Sequence, residues 1–139
     1  MCCTLSVDSF YEIPHTADLE IVVFGQTKEF LFQNSAEAML GLLDITKSED
    51  SGAENGDVQL FGNDLETLLV GLLNEILFMV KLNQIPEEIK ISIKEPNIVF
   101  RFRKWKIDSI GREIKAVTYH RMKIEEKDGR YQTHIVFDI

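Results

Sequence analysis

The chain has 139 residues and a formal net charge of −8, with 45% apolar and 27% charged residues. That length suits one domain able to bury a core without staples. The acidic balance argues against a free-standing nucleic-acid binder, whose phosphate contacts need clustered Lys and Arg.

Cys2 and Cys3 are adjacent and have no third cysteine to pair with, so they read as reduced thiols in a reducing compartment. The first residues lack a basic stretch followed by an apolar one, so no secretory signal is expected and the expected location is the cytoplasm. The longest apolar stretch, Leu65 to Leu82, is broken by Glu66, Glu75 and Lys81 and reads as a core helix rather than a membrane span.

In chain order, Phe10 to Ile13 reads as a short strand, and Pro14 biases Ile13 to an extended conformation. His15-Thr16-Ala17-Asp18 is a polar tetrad between this strand and the next, Leu19 to Phe24. In that second strand Leu19, Ile21 and Val23 share one face, while Asp18 falls in phase with Glu20 on the other. Gly25 closes it. Thr27 is a plausible N-cap for a helix through about residue 43. The small Ala36 and Ala38 would let this helix lie close to a sheet.

Residues 44–56 are polar and rich in turn formers, and are expected to be an exposed, mobile connection. Asp57 to Phe61 follows as a short strand. The strongest helical pattern begins after Asn63, which with Glu66 three positions on forms a capping-box pattern. Leu65, Leu68, Leu69, Leu72, Leu73, Ile76, Leu77 and Val80 keep one stripe through about Leu82. Glycine in a helix interior costs about 0.5–1 kcal/mol relative to alanine, so Gly71 predicts the close approach of another element.

The remainder alternates as strands. Glu88 to Lys94 and Ile98 to Trp105 flank the turn signal Pro96-Asn97. A turn is expected within Ile107 to Glu113, at Gly111. Ile114 to Tyr119, Met122 to Glu125 and Tyr131 to Ile139 follow, with Asp128-Gly129 as a hairpin turn. The expected fold class is α+β: a two-layer arrangement of a mostly antiparallel or mixed sheet with two main helices on one face. All of it, residues 1–139, is expected to be one domain.

Several side chains are able to carry chemistry, and each has a plainer reading. From spacing alone Asp18 reads as a turn residue and Asp138 as a solvated residue near the chain end. The sharper reading has them share a hard cation, which oxygen ligands favour. Ile139 would then contribute only a main-chain or terminal oxygen. His15 and His120 are able to hydrogen-bond within loops, ligate a softer metal or titrate near neutrality. Lys115 reads as a solvated sheet lysine or a contact to a partner. Glu75 reads as a polar-face residue or as one aimed at the metal. No G-x-S-x-G, P-loop or G-x-G-x-x-G motif is present, so nothing predicts a nucleophile elbow or a nucleotide cradle.

Four stretches together are distinctive: His15-Thr16-Ala17-Asp18, Leu68 to Phe78 with Asn74-Glu75 inside it, Lys115-Ala116-Val117-Thr118-Tyr119-His120, and the closing Val136-Phe137-Asp138-Ile139. In this order they resemble the archease family over essentially the whole chain. The resemblance implies an activator of RtcB-type RNA ligases in tRNA splicing and repair, not an enzyme in its own right. It would promote ligase guanylylation and multiple turnover. It also implies a divalent cation, Ca²⁺ above all with Mg²⁺ or Mn²⁺ as alternatives, held by Asp18, Asp138 and Ile139. His15, His120, Lys115 and Glu75 would lie near that site or touch the partner. RNA would be met only through the ligase, and no membrane is involved. The family often has Trp where Gly71-Leu72 stands. Two other readings compete: a stand-alone metal-dependent phosphoesterase using His15 and Asp18, and a chaperone-like module using an exposed apolar helix face.

Overall fold

The computed structural model describes residues 9–13, 18–49, 52–119 and 122–139. Cys2, Cys3, Pro14, His15, Thr16, Ala17 and His120 lie outside the described residues. Eleven elements follow in order among the described residues: β1 (Phe10–Ile13), β2 (Leu19–Gly25), α1 (Lys28–Leu43), β3 (Ile45–Lys47), β4 (Glu54–Phe61), α2 (Leu65–Lys81), β5 (Gln84–Lys94), β6 (Asn97–Ile110), β7 (Ala116–Thr118), β8 (Glu125–Lys127) and β9 (Arg130–Asp138).

The class is α+β, and the strands divide into two sheets. One runs β1-β2-β9-β7, with β8 also on β9; in the other, β3, β4 and β5 all pair with β6. The pairings are antiparallel. Both helices bridge the sheets, α1 packing on β2 and β5, and α2 on β5 and β7. The core between them is made by the predicted stripes. Leu68, Leu69, Leu72, Leu73 and Ile76 of α2 are essentially inaccessible, as are Ile21 and Val23 of β2 and Phe100 of β6. Each such side chain contributes about 1.5–3 kcal/mol of gross burial. Ala36 and Ala38 are buried on α1, where small side chains let the helix approach the sheets.

Local chemistry explains the boundaries. The Thr27 hydroxyl accepts the Phe30 N–H at 3.1 Å, closing the open end of α1 as expected. At α2 the cap is Asp64, not Asn63, with its carboxylate accepting the Thr67 N–H at 2.7 Å. Glu66 does not fold back to complete a capping box. Its carboxylate accepts instead the Ile124 N–H at 2.8 Å, tying the start of α2 to the segment before β8.

The stretch 44–56 is not the open connection its composition suggests. Ile45–Lys47 pairs with β6, and β4 starts at Glu54. Main-chain pairing explains the difference: β6 runs to Ile110, and its far end has donors and acceptors that β3 satisfies. Asp128 and Gly129 both take positive φ, 56° and 77°, as a tight I′ hairpin requires.

Gly25 and Gly71 exchange the roles their positions suggest. A Cβ on Gly71 would meet nothing within 4 Å, whereas one on Gly25 would strike the backbone of Phe30 and Leu31. The close approach is thus at the β2–α1 junction, where the first turn of the helix crosses the strand end.

Candidate metal centre

Asp18 and Asp138 are 120 positions apart in the chain, and the first sheet pairs the residues beside them. β2 pairs with β9 in the register Leu19↔Phe137, Glu20↔Val136, Ile21↔Ile135. Asp18 is the next residue before Leu19, and Asp138 the next after Phe137. In an antiparallel ladder paired residues such as Leu19 and Phe137 have Cα atoms about 4.5–5.5 Å apart. Leu19 and Phe137 point into the core, so alternation gives Asp138 the opposite face of the sheet, with Glu20 and His134, while Asp18 is a bend immediately before β2.

Asp18 is half-buried, while Asp138 is exposed and Ile139 is 43% exposed. β9 lies between β2 and β7, so Asp138 is held from its other side as well. It pairs with Ala116, and its carbonyl accepts the Lys115 N–H at 2.7 Å. Lys115 therefore reaches the site through its backbone, while its side chain is exposed. Glu75 is half-buried in the middle of α2.

The residue before it, Asn74, was not anticipated as a site residue. Its side chain spans from α2 to β7, accepting the Val117 N–H at 3.0 Å and donating to the Val117 carbonyl at 3.3 Å. Val117 itself pairs with Phe137. The helix thus pins the short strand that braces the end of β9.

Glu20 was also missed. It is 4% exposed, a carboxylate inside the sheet two residues from Asp18. The signal was its phase with Asp18; its burial comes from β1 and β9 on either side.

Among the described residues no group of three His, Cys, Asp or Glu side chains converges closely enough to hold a metal ion. The donors available at the strand ends are two carboxylates and main-chain oxygens of residues 138 and 139. Such a donor set is all hard oxygen, which fits Ca²⁺ or Mg²⁺ and not a thiol- or imidazole-seeking metal.

A two-sheet α+β chain with two helices shared between the sheets, and an aspartate next in chain to each member of the Leu19–Phe137 pair, defines a class of small protein whose candidate site draws on distant strands. Residues 10–139 match the Archease protein family (MTH1598/TM1083), and the chain belongs to that family. It is 33% identical over 137 residues to protein archease of Methanosarcina mazei, covering 91% of this chain and 93% of that one. It is also 33% identical over 135 residues to protein archease of Pyrococcus furiosus, covering 90% and 94%. The crystal structure of a Thermotoga maritima archease, described as a possible chaperone, is similar with a TM-score of 0.70 at 26% identity, covering 91% of this chain and 94% of that one. The solution structure of Methanobacterium thermoautotrophicum protein 1598 is similar with a TM-score of 0.70 at 25% identity, covering 95% and 99%.

Proposed function

We propose that the protein is a metal-binding accessory factor that activates an RtcB-type RNA ligase, promoting guanylylation of the ligase and its multiple turnover in tRNA splicing and RNA repair. The observation that supports this reading is the β2–β9 register, whose last pair, Leu19 and Phe137, are the chain neighbours of Asp18 and Asp138, in a chain of the archease family. Asp18, Asp138 and the main chain at Ile139 are the residues that would hold a divalent cation, Ca²⁺ being favoured by oxygen donors and a partly open site. The cation would supply charge neutralisation to phosphate oxygens, the chief requirement of phosphoryl transfer. The chain's own part is positional. Strand pairing holds the main chain at Leu19 and Phe137, next to the two aspartates, and the Lys115 N–H and the Asn74–Val117 bonds brace the end of β9.

The test is multiple-turnover ligation by the cognate ligase, with wild-type protein and Asp18→Ala. Stimulation by wild type that is lost in the variant is the expected result. Equal stimulation by both would remove the metal role, and stimulation by neither would remove the function.

A chaperone-like reading has one specific observation behind it, the description of the Thermotoga maritima relative. It is disfavoured here because the α2 stripe from Leu68 to Val80 is buried rather than offered to clients. No helix among the described residues is long and apolar enough to cross a membrane.

A further inference from the structure

The second sheet carries a row of cations that the net charge conceals. Alternation along β6 sends Ile98, Phe100 and Phe102 inward, where they are buried, and turns Arg101 and Arg103 outward, where they are exposed. Register places Lys90 beside Arg101, and Lys94 across from Asn97 at the far end of the same face. Four cations therefore share one face of a chain whose net charge is −8. Three carboxylates accompany them: Asp57 opposite Arg101, Glu87 opposite Arg103 and 2.8 Å from the Lys47 ammonium, and Glu88, which lies 3.2 Å from the Arg103 guanidinium. The balance of the face is positive, and ion pairs this exposed are weak and easily exchanged for another anion. Two shallow clefts, of about 410 and 230 Å³, share Arg101 in their walls.

An aromatic ring completes the row. Phe61 pairs with Asn97 in the same rank as Lys94 and is 69% exposed. Its parity is that of Gln59 and Asp57, opposite to Val58 and Leu60, which pack on the core. An open ring beside a line of cations is the recurring chemistry of single-strand binding, in which phosphates lie along the positive groove and a base stacks on the ring. Arg101 and Arg103 are two residues apart, about 6.6 Å along the strand, a step that an extended sugar–phosphate backbone is able to follow. An acidic protein would use the cations alone and gives no reason for the bare phenyl ring.

We propose that the outer face of β4, β6 and β5 binds single-stranded nucleic acid, with phosphates on Lys90, Lys94, Arg101 and Arg103 and a base on Phe61. This inference rests on the cation row and the ring, and stands whether or not the ligase reading does. The test is fluorescence anisotropy at low salt with labelled oligouridylate and oligothymidylate of about ten nucleotides. Wild type should bind, with a log–log salt slope of about −2 to −3 for four cations on a single strand. Lys90→Glu combined with Arg101→Glu should weaken binding about tenfold or more and flatten that slope. Phe61→Ala should weaken it about fivefold or more and leave the slope unchanged. All three sites are exposed, and circular dichroism would verify that the variants fold. Absence of binding, or variants that bind as wild type does, would overturn the proposal. Equally tight binding of poly-glutamate, indifferent to Phe61→Ala, would overturn it in favour of an acidic protein partner.

Discussion

Asn74 in α2 and Val117 in β7 hold each other through both main-chain groups of Val117, at 3.0 and 3.3 Å. A strand of three residues has little pairing of its own, and the amide of Asn74 acts as one more strand on its free side. Because Val117 pairs with Phe137 and Ala116 with Asp138, the helix reaches the candidate metal centre in two steps. Asn74→Ala would leave two partly buried main-chain groups without their partner. The expected cost is about 1–3 kcal/mol, with faster hydrogen exchange at the Val117 amide than at Ile21 or Ile135. A uniform loss of protection through both sheets would contradict the local bracing role.

The two glycines give opposite expectations. At Gly25 a methyl group would strike the main chain of Phe30 and Leu31, which cannot swing aside as a side chain does. Gly25→Ala should destabilise by about 1–3 kcal/mol, as overpacking does. Gly71 lies in a helix with open space around its Cβ position, so Gly71→Ala should stabilise by about 0.5–1 kcal/mol through the entropy of the unfolded chain. Urea denaturation of the two variants beside wild type measures both signs.

The cation proposed for Asp18 and Asp138 makes a prediction independent of any ligase. A ligand that binds only the folded state stabilises it, by about 2.7 kcal/mol at a hundred times its dissociation constant. Added Ca²⁺ should raise the melting temperature of wild type, and a chelator should reverse the rise. Asp18→Asn and Asp138→Asn should each abolish most of the shift while folding normally without the ion. A shift that survives in both variants would place the cation elsewhere.

What was legible in the sequence divides by range. Local patterns carry helices and tight turns: the eight-residue stripe of α2, the Thr27 cap and the Asp128-Gly129 hairpin all stand in the structure. β3 was hidden because three residues give no period, and its pairing partner lies some sixty positions away in β6. The far end of β6 was missed because Lys106, Asp108 and Ser109 read as loop, although main-chain bonds there are satisfied by β3 and by the Asn83 carbonyl. The pairing of Leu19 with Phe137, beside Asp18 and Asp138, is the β2–β9 register, a long-range fact that no spacing carries. Only the resemblance to archease joined them beforehand. The cation row was invisible for the same reason, since Lys90 meets Arg101 only through strand pairing.

The start of α2 separates two acidic residues that sequence spacing would merge into one motif. Asp64 caps the helix, and hydrogen bonds from the Thr67 main chain and side chain hold its carboxyl below its ordinary pKa of 3.8. A group depressed on folding contributes stability above its unfolded pKa and loses it as pH falls through the folded one. The cap contribution should therefore be complete at neutral pH, begin to fall near the ordinary value of 3.8 and be lost as pH drops through the lower folded value. Asp64→Ala should lower the melting temperature at pH 7 and converge on wild type in acid, while Asn63→Ala should do neither. Glu66 behaves differently, because its carboxylate serves the Ile124 N–H across 58 positions. Glu66→Ala should cost about 1–3 kcal/mol by orphaning that N–H. Glu66→Gln retains an acceptor oxygen and should lose much less. Equal losses in the alanine and glutamine variants would mean that charge near the helix start, rather than the bond to Ile124, is what Glu66 provides.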